Sequence, residues 1–260
     1  MILGNNGTQM VNEGSLNVIS KRIFDGTNVR IRQYPFMVSI HRLNKEYTML
    51  CGGVLLSSSV VLTAAHCILD TETNTLFNST EIKVRVGSKY WLGFGGKEFG
   101  ALKMIIHDYK GGDDLRNDIG IIHLDQNIDD EFIWSKGIQF AKIFNRNISS
   151  KTKAMVLGWG ETKSESSSRT ILAVNVNISF SEVCKKYPYW SDSNNHTICA
   201  DPENSQICPG DSGGPLVFSE IERLKNPQKE TQKPQKVCIE IKLQEKFLSS
   251  KTTPPQIPFK

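Results

Sequence analysis

Glycine stops at residue 214. All 20 glycines of the 260-residue chain lie at or before Gly214, so the last 46 residues hold none. Five of the 10 prolines lie after Pro215. A β-rich domain needs glycine in its tight turns, so the composition marks a break near residue 218. Other absences narrow the function. The longest apolar run, VVLTAAHCIL (60–69), is about half of what a membrane-spanning helix requires. The start, MILGNNGTQM, turns polar after three residues and offers no apolar core of a secretory signal. Residues 219–260 hold nine Lys/Arg and five Asp/Glu, while the rest of the chain balances at 22 against 22. The body therefore carries no basic footprint for nucleic acid. No C-x-x-C pair is present, which argues against zinc. No long helical periodicity and no internal repeat stand out.

What is present reads as short strands. FMVSIH (36–41), IKVRVG (82–87) and LAVNVNIS (172–179) alternate apolar and polar residues at period two. In the last, Leu172, Val174, Val176 and Ile178 share one face, and Asn175 and Asn177 the other. Many such strands separated by Gly, Asn, Asp and Ser predict an all-β sandwich or barrel. Residues 1–22 read as a flexible leader, and DQNIDDEFIWSKGIQ (125–139) as a linker between two halves. Six cysteines form an even set, and five N-x-S/T sequons start at Asn6, Asn78, Asn147, Asn177 and Asn195. These features point outside the cell. With no signal segment visible, the expectation is a secreted precursor whose original N-terminus is missing here. Asn78, Asn147, Asn177 and Asn195 are the expected glycan acceptors.

Three stretches carry chemistry: LTAAHC (62–67), NDIGIIHL (117–124) and GDSGGP (210–215). Alone, each has an ordinary reading: a structural histidine, a turn aspartate, a glycine loop. In the order His, Asp, Ser, with those flanking residues, the chain resembles the chymotrypsin-like serine proteases from about Arg22 to Phe218. The resemblance implies two Greek-key β-barrels with a site in the cleft between them. It implies His66 as general base and acid, Asp118 as the carboxylate that orients it, and Ser212 as nucleophile. A serine hydroxyl is a poor nucleophile until a base takes its proton, and the base must be held in one tautomer. The backbone N–H groups of Gly210 and Ser212 are the expected oxyanion donors.

The same resemblance implies a zymogen. Cleavage after Arg22 frees the amine of Ile23 to pair with Asp211. The family start Ile-Val-Gly-Gly is here Ile23-Phe24-Asp25-Gly26, which departs at its second and third residues. It further implies disulfides pairing Cys51 with Cys67 and Cys184 with Cys199. Cys208 has a family partner on a strand with no match here, which leaves Cys238 as the remaining candidate. GWG (158–160) matches the family and reads as packing and turn formation. Calcium-binding relatives place an acid after VRVG (84–87), where this chain has Ser88, so no metal or other cofactor is expected. Gln206 stands at the floor of the primary specificity pocket. Trypsin-like members have an aspartate there, so preference for Lys or Arg is disfavoured. Expected partners are a protein or peptide substrate, an activating protease and protein inhibitors, without nucleic acid or membrane, on a monomeric chain.

After Phe218 the resemblance ends. The family's Ser-Trp-Gly strand is not readable in SEIERLKNPQKETQKPQK, so the second barrel is expected to be incomplete. Val237, Ile239, Ile241 and Leu243 alternate with Cys238, Glu240 and Lys242 in the pattern of a strand that could join the barrel edge. The preferred reading is a divergent basic tail over 219–260, behind a leader (1–22) and a protease domain (23–218). Two other functions stay open: a catalytically impaired protease-like binding protein, and an aberrant isoform.

Overall fold

The computed structural model describes residues 26–43, 47–70, 72–109, 117–144, 148, 152–160, 162, 168–179, 198–202, 210–218 and 236–238. In chain order its strands are β1 (Thr27–Asn28), β2 (Met37–Leu43), β3 (Tyr47–Leu55), β4 (Val60–Thr63), β5 (Leu69–Asp70), β6 (Thr75–Leu76), β7 (Ile82–Val86), β8 (Lys97–Ile106) and β9 (Gly120–Leu124). A short helix α1 (Asp130–Lys136) follows. Then come β10 (Lys153–Gly158), β11 (Leu172–Ser179), β12 (Cys199–Pro202), β13 (Leu216–Phe218) and β14 (Lys236–Cys238). The fold is all-β, as expected. Among the described residues no helix is long and apolar enough to cross a membrane.

Six antiparallel strands close the first barrel in the order β2-β3-β4-β9-β8-β7. Alternation decides which side chains fill it. In β7, Ile82, Val84 and Val86 are buried and Lys83 and Arg85 are less so. β9 repeats the pattern with Gly120, Ile122 and Leu124. Val38, Ile40, Val61, Phe99 and Met104 complete this interior. β2 departs from simple alternation. Met37 to His41 are all buried, because Val38 and Ile40 face the barrel while Met37 joins a second cluster with Tyr34, Phe36, Val54, Leu62, Leu157, Trp159 and Val217. That cluster, drawn from both halves of the chain, is the seam between them.

Among the described residues the second half forms a six-stranded sheet in the order β1-β11-β10-β13-β14, with β12 also pairing β11. Leu172, Val174, Val176 and Ile178 are buried and Asn175 is exposed, which is the predicted facing of this strand. Two sequence expectations are corrected here. The segment 125–139 is not a bare linker. Asp129 caps α1 by accepting the Phe132 N–H at 2.7 Å, and Gly137 ends it at φ 65°. Ile128 and Ile138 flank the helix and are buried in the first barrel. Nor is residue 219 onward wholly a solvated tail. β14 pairs antiparallel with β13, with Leu216 opposite Cys238 and Phe218 opposite Lys236. The alternating apolar pattern thus joins the sheet edge.

His41, on β2, is fully buried, shares a 2.8 Å hydrogen bond with Ser39 Oγ and stacks on Trp91 with ring centroids 5.9 Å apart. Burial, and then the positive charge of Arg85, lower its pKa from 6.5 to about 4 against a smaller opposing effect of Glu98. The unfolded chain takes up this proton below about pH 6.5 and the folded chain only near pH 4. The stability tied to this residue is present above the upper value and is lost as pH falls through the window. The difference is roughly 3 kcal/mol, at about 1.4 kcal/mol per pH unit. His41→Gln is expected to flatten the acid limb in denaturant titrations between pH 7 and pH 4.5. Parallel losses in variant and parent would show that His41 does not set that limb.

Candidate active site

His66 occupies a 3-10 turn, Ala65–Cys67, directly after β4. Two constraints fix the turn. Cys67 is bonded to Cys51 of β3 across a Cα separation of 5.9 Å. Gly120 lets β9 approach, since a Cβ there would meet Ile68 Cδ1 at 2.8 Å and Ala64 O at 3.1 Å. Just before β9, Asn117 takes φ 60°, and this sharp bend precedes Asp118. Both carboxylate oxygens of Asp118 are used. Oδ1 accepts the His66 main-chain N–H at 2.9 Å, and Oδ2 lies 2.7 Å from Nδ1. A carboxylate only accepts, so Nδ1 carries the proton and neutral His66 keeps its lone pair on Nε2. The side chains are 35% and 22% exposed, so the pair opens to solvent on the His66 side.

Ser212 sits on a turn between Gly210 (φ 93°) and Gly213 (φ 73°), backbone regions that favour glycine. Its carbonyl accepts the Gly52 N–H at 2.8 Å, which ties the turn to β3 beside the Cys51–Cys67 bridge. Gly213 packs so closely that a Cβ would run into Thr63 Oγ1 and lie 3.2 Å from Ala64 N, two residues before His66. The stretches 62–67, 117–124 and 210–215 therefore converge. Among the described residues, the Ser212 hydroxyl makes no hydrogen bond, and the N–H groups of Gly210 and Ser212 donate to no other group.

Asp211 is only 4% exposed, and its Oδ1 accepts the Gly160 N–H at 2.8 Å. A Cβ on either Gly158 or Gly160 would collide with this carboxylate. The GWG stretch thus does more than pack: its two glycines make the space that Asp211 fills, and Trp159, fully buried, anchors it by donating Nε1–H to Lys89 O at 2.8 Å. Residue types alone did not single out Gly158, Gly160, Gly52 or Thr63 as part of the site. The signal was present only as GWG, CGG and the threonine of LTAAHC.

The remaining expected residues divide in two. Cys199 is disulfide-bonded, Asn78 is exposed at a turn, and Asn177 is half-buried in the paired strand β11. Ser88 spends its hydroxyl within its own loop, donating to Phe94 O at 3.0 Å and accepting the Tyr90 N–H at 3.0 Å. Arg22, Ile23, Cys184, Asn147, Asn195, Gln206 and Cys208 lie outside the described residues, as does the side chain of Cys238. Cys51, His66 and Cys67 cluster within metal-binding distance, but the two sulfurs are bonded to each other and offer no thiolate.

A carboxylate-held imidazole and a serine on a glycine turn, brought together from opposite halves of a β-fold, make up the parts that serine nucleophile chemistry uses. The family described as Trypsin matches residues 23–222. Trypsin alpha of Drosophila melanogaster is 33% identical over 211 residues, 80% of this chain and 77% of that protein. Trypsin beta of Drosophila erecta is 32% identical over 79% of this chain and 77% of its own length. Trypsin epsilon of Drosophila erecta is 30% identical over 79% and 76%. The chain belongs to the trypsin family of chymotrypsin-like serine endopeptidases. The match ends at residue 222, close to where the glycines stop.

The Asp211 cradle yields a direct expectation. Gly160→Ala forces a methyl into the carboxylate, an overpacking that typically costs about 1–3 kcal/mol. A lowered thermal midpoint is the expected readout, and an unchanged melt would mean that the cradle has room.

Proposed function

We propose that the chain is a secreted endopeptidase that hydrolyses peptide bonds through an acyl-enzyme on Ser212. The observation that carries this reading is the double grip of Asp118 on His66, in a chain whose Ser212 turn is tied to the same barrel through Gly52. With Nδ1–H committed to Asp118, Nε2 is the atom left to take the Ser212 proton as the hydroxyl attacks the substrate carbonyl. Catalytic hydrogen bonds are often long in unliganded sites and tighten when substrate enters, which is compatible with a Ser212 hydroxyl that is not yet engaged. The tetrahedral oxyanion is received by the N–H groups of Gly210 and Ser212, which are unspent among the described residues. Collapse breaks the C–N bond, and His66 returns the proton to the leaving amine. Water then repeats the sequence on the acyl-enzyme and frees the acid.

Activation follows cleavage after Arg22. The new amine of Ile23 reaches Asp211 and fixes the turn that carries Gly210 and Ser212. Two features support this. Asp211 is already turned inward onto Gly160, and β1 anchors the chain four residues beyond Ile23 through pairing with β11. Substrates are proteins or peptides. With Gln206 where an aspartate would attract Lys or Arg, the preferred residue is not basic, unlike what the names of its relatives suggest. A catalytically impaired binding form is the second reading, favoured by the sheet edge beyond β13. There the described residues supply only the three-residue β14.

A fluorophosphonate probe separates the two. Applied to the secreted chain cut after Arg22, it is expected to leave one adduct, on Ser212, located by mass spectrometry. Asp118→Asn is expected to slow peptide turnover on the order of 10⁴-fold by stabilising the wrong tautomer. A soluble, folded chain that takes no adduct would instead establish the impaired form.

A further inference from the structure

Thr63 is the last residue of β4, 5% exposed, and has an ordinary explanation as a strand former whose hydroxyl found a partner. Its surroundings point to more. The hydroxyl donates to Gly52 O at 2.9 Å, and Gly52 N–H donates to Ser212 O at 2.8 Å. Both main-chain groups of Gly52 are therefore held, the carbonyl by the strand leading to His66 and the N–H by the turn carrying Ser212. The contact is backbone on backbone, since a Cβ on Gly52 would lie 3.2 Å from Gly214 Cα. Gly213 is pressed against the same hydroxyl, leaving no space for a side chain of its own. The chain continues from Thr63 through Ala64 into the turn that carries His66.

We propose that Thr63 is a positioning residue that sets the separation of His66 from Ser212, through the relay Thr63 hydroxyl, Gly52, Ser212 carbonyl. The inference rests on the endopeptidase reading above and adds to it a residue outside the reacting set. The physical argument is one of tolerance. The two groups sit on elements from different halves of the fold, and nothing covalent fixes their distance. Gly52 has no side chain to lock its orientation. On the side facing the site, its two main-chain hydrogen bonds do that work. Removing the Thr63 hydroxyl leaves a buried carbonyl without its donor and loosens Gly52 on the side that faces the Ser212 turn, while β2 still holds its other side. A shift of about 1 Å in reacting geometry can cost about 100-fold in rate.

Three variants test it, each measured well below its own melting temperature and normalised to folded protein. Thr63→Val keeps the shape and loses the hydroxyl. Thr63→Ala loses the hydroxyl with less steric demand and serves if the valine variant does not fold. Thr63→Ser keeps the hydroxyl. The expected result is a kcat lowered about 30-fold or more in the valine and alanine variants, with KM within about threefold, and a serine variant within about threefold of the parent in both. Fluorophosphonate labelling of Ser212 should slow in parallel. A valine or alanine variant that keeps its kcat overturns the proposal. So does a serine variant that loses as much as valine, since packing of the methyl group would then be the cause. A parent chain that takes no label removes the endopeptidase reading itself, and that failure is recognised before any variant is compared.

Discussion

The hydrogen bond from Gly52 to the carbonyl of Ser212 spans the seam between the closed barrel and the sheet of the second half, and the site exists only where that seam is held. On one side are β3, β4 and the His66 turn, braced by the Cys51–Cys67 bridge. On the other is the glycine turn of Ser212. Such an approach of two backbones needs glycine, and Gly52, Gly213 and Gly214 supply it. Around this contact Met37, Val54, Leu62, Leu157, Trp159 and Val217 form a buried apolar cluster. Burying such side chains is worth roughly 1.5–3 kcal/mol each, enough to hold the halves in register while the cleft itself stays open.

Charge is handled differently on the two sides. Asp118 is partly solvated and gives both oxygens to one residue, so its negative charge is spent on orienting His66. Asp211 is buried, and a buried carboxylate is costly unless its oxygens are satisfied. Gly160 provides one donor, and the absence of side chains at 158 and 160 lets the carboxylate lie against main chain. Because Asp211 immediately precedes Ser212, this contact ties the Ser212 turn to the stretch 158–160.

The edge of the second half shows how a pattern can outweigh composition. Residues beyond 218 lack the glycines of the family and carry excess positive charge, which argued for a solvated tail. Alternation around Val237 argued for a strand, and β14 pairs with β13. An unpaired edge strand leaves a row of N–H and C=O groups without partners, and any segment of suitable periodicity relieves that cost. The antiparallel register also turns the chain back, from opposite Phe218 toward opposite Leu216, the end of β13 nearer Ser212.

By itself the sequence determined the all-β class, the facing of β7 and β11 and the family, and it singled out His66, Asp118 and Ser212 as the candidates for chemistry. These follow from local period and from short motifs whose chemistry tolerates few other residue types. It left α1 unread, because seven residues carry too little periodicity to stand out from a linker. It also left the burial of the polar positions of β2 unread: Ser39 and His41 are buried, bonded to each other, and His41 stacks on Trp91. Only the tertiary structure decided that Gly158 and Gly160 form the cradle of Asp211, and that Thr63 and Gly52 connect His66 to Ser212. The Asp211 cradle joins residues more than 50 positions apart and the Gly52–Ser212 contact joins opposite halves, and in each at least one partner is a main-chain group, which carries no residue-specific signal.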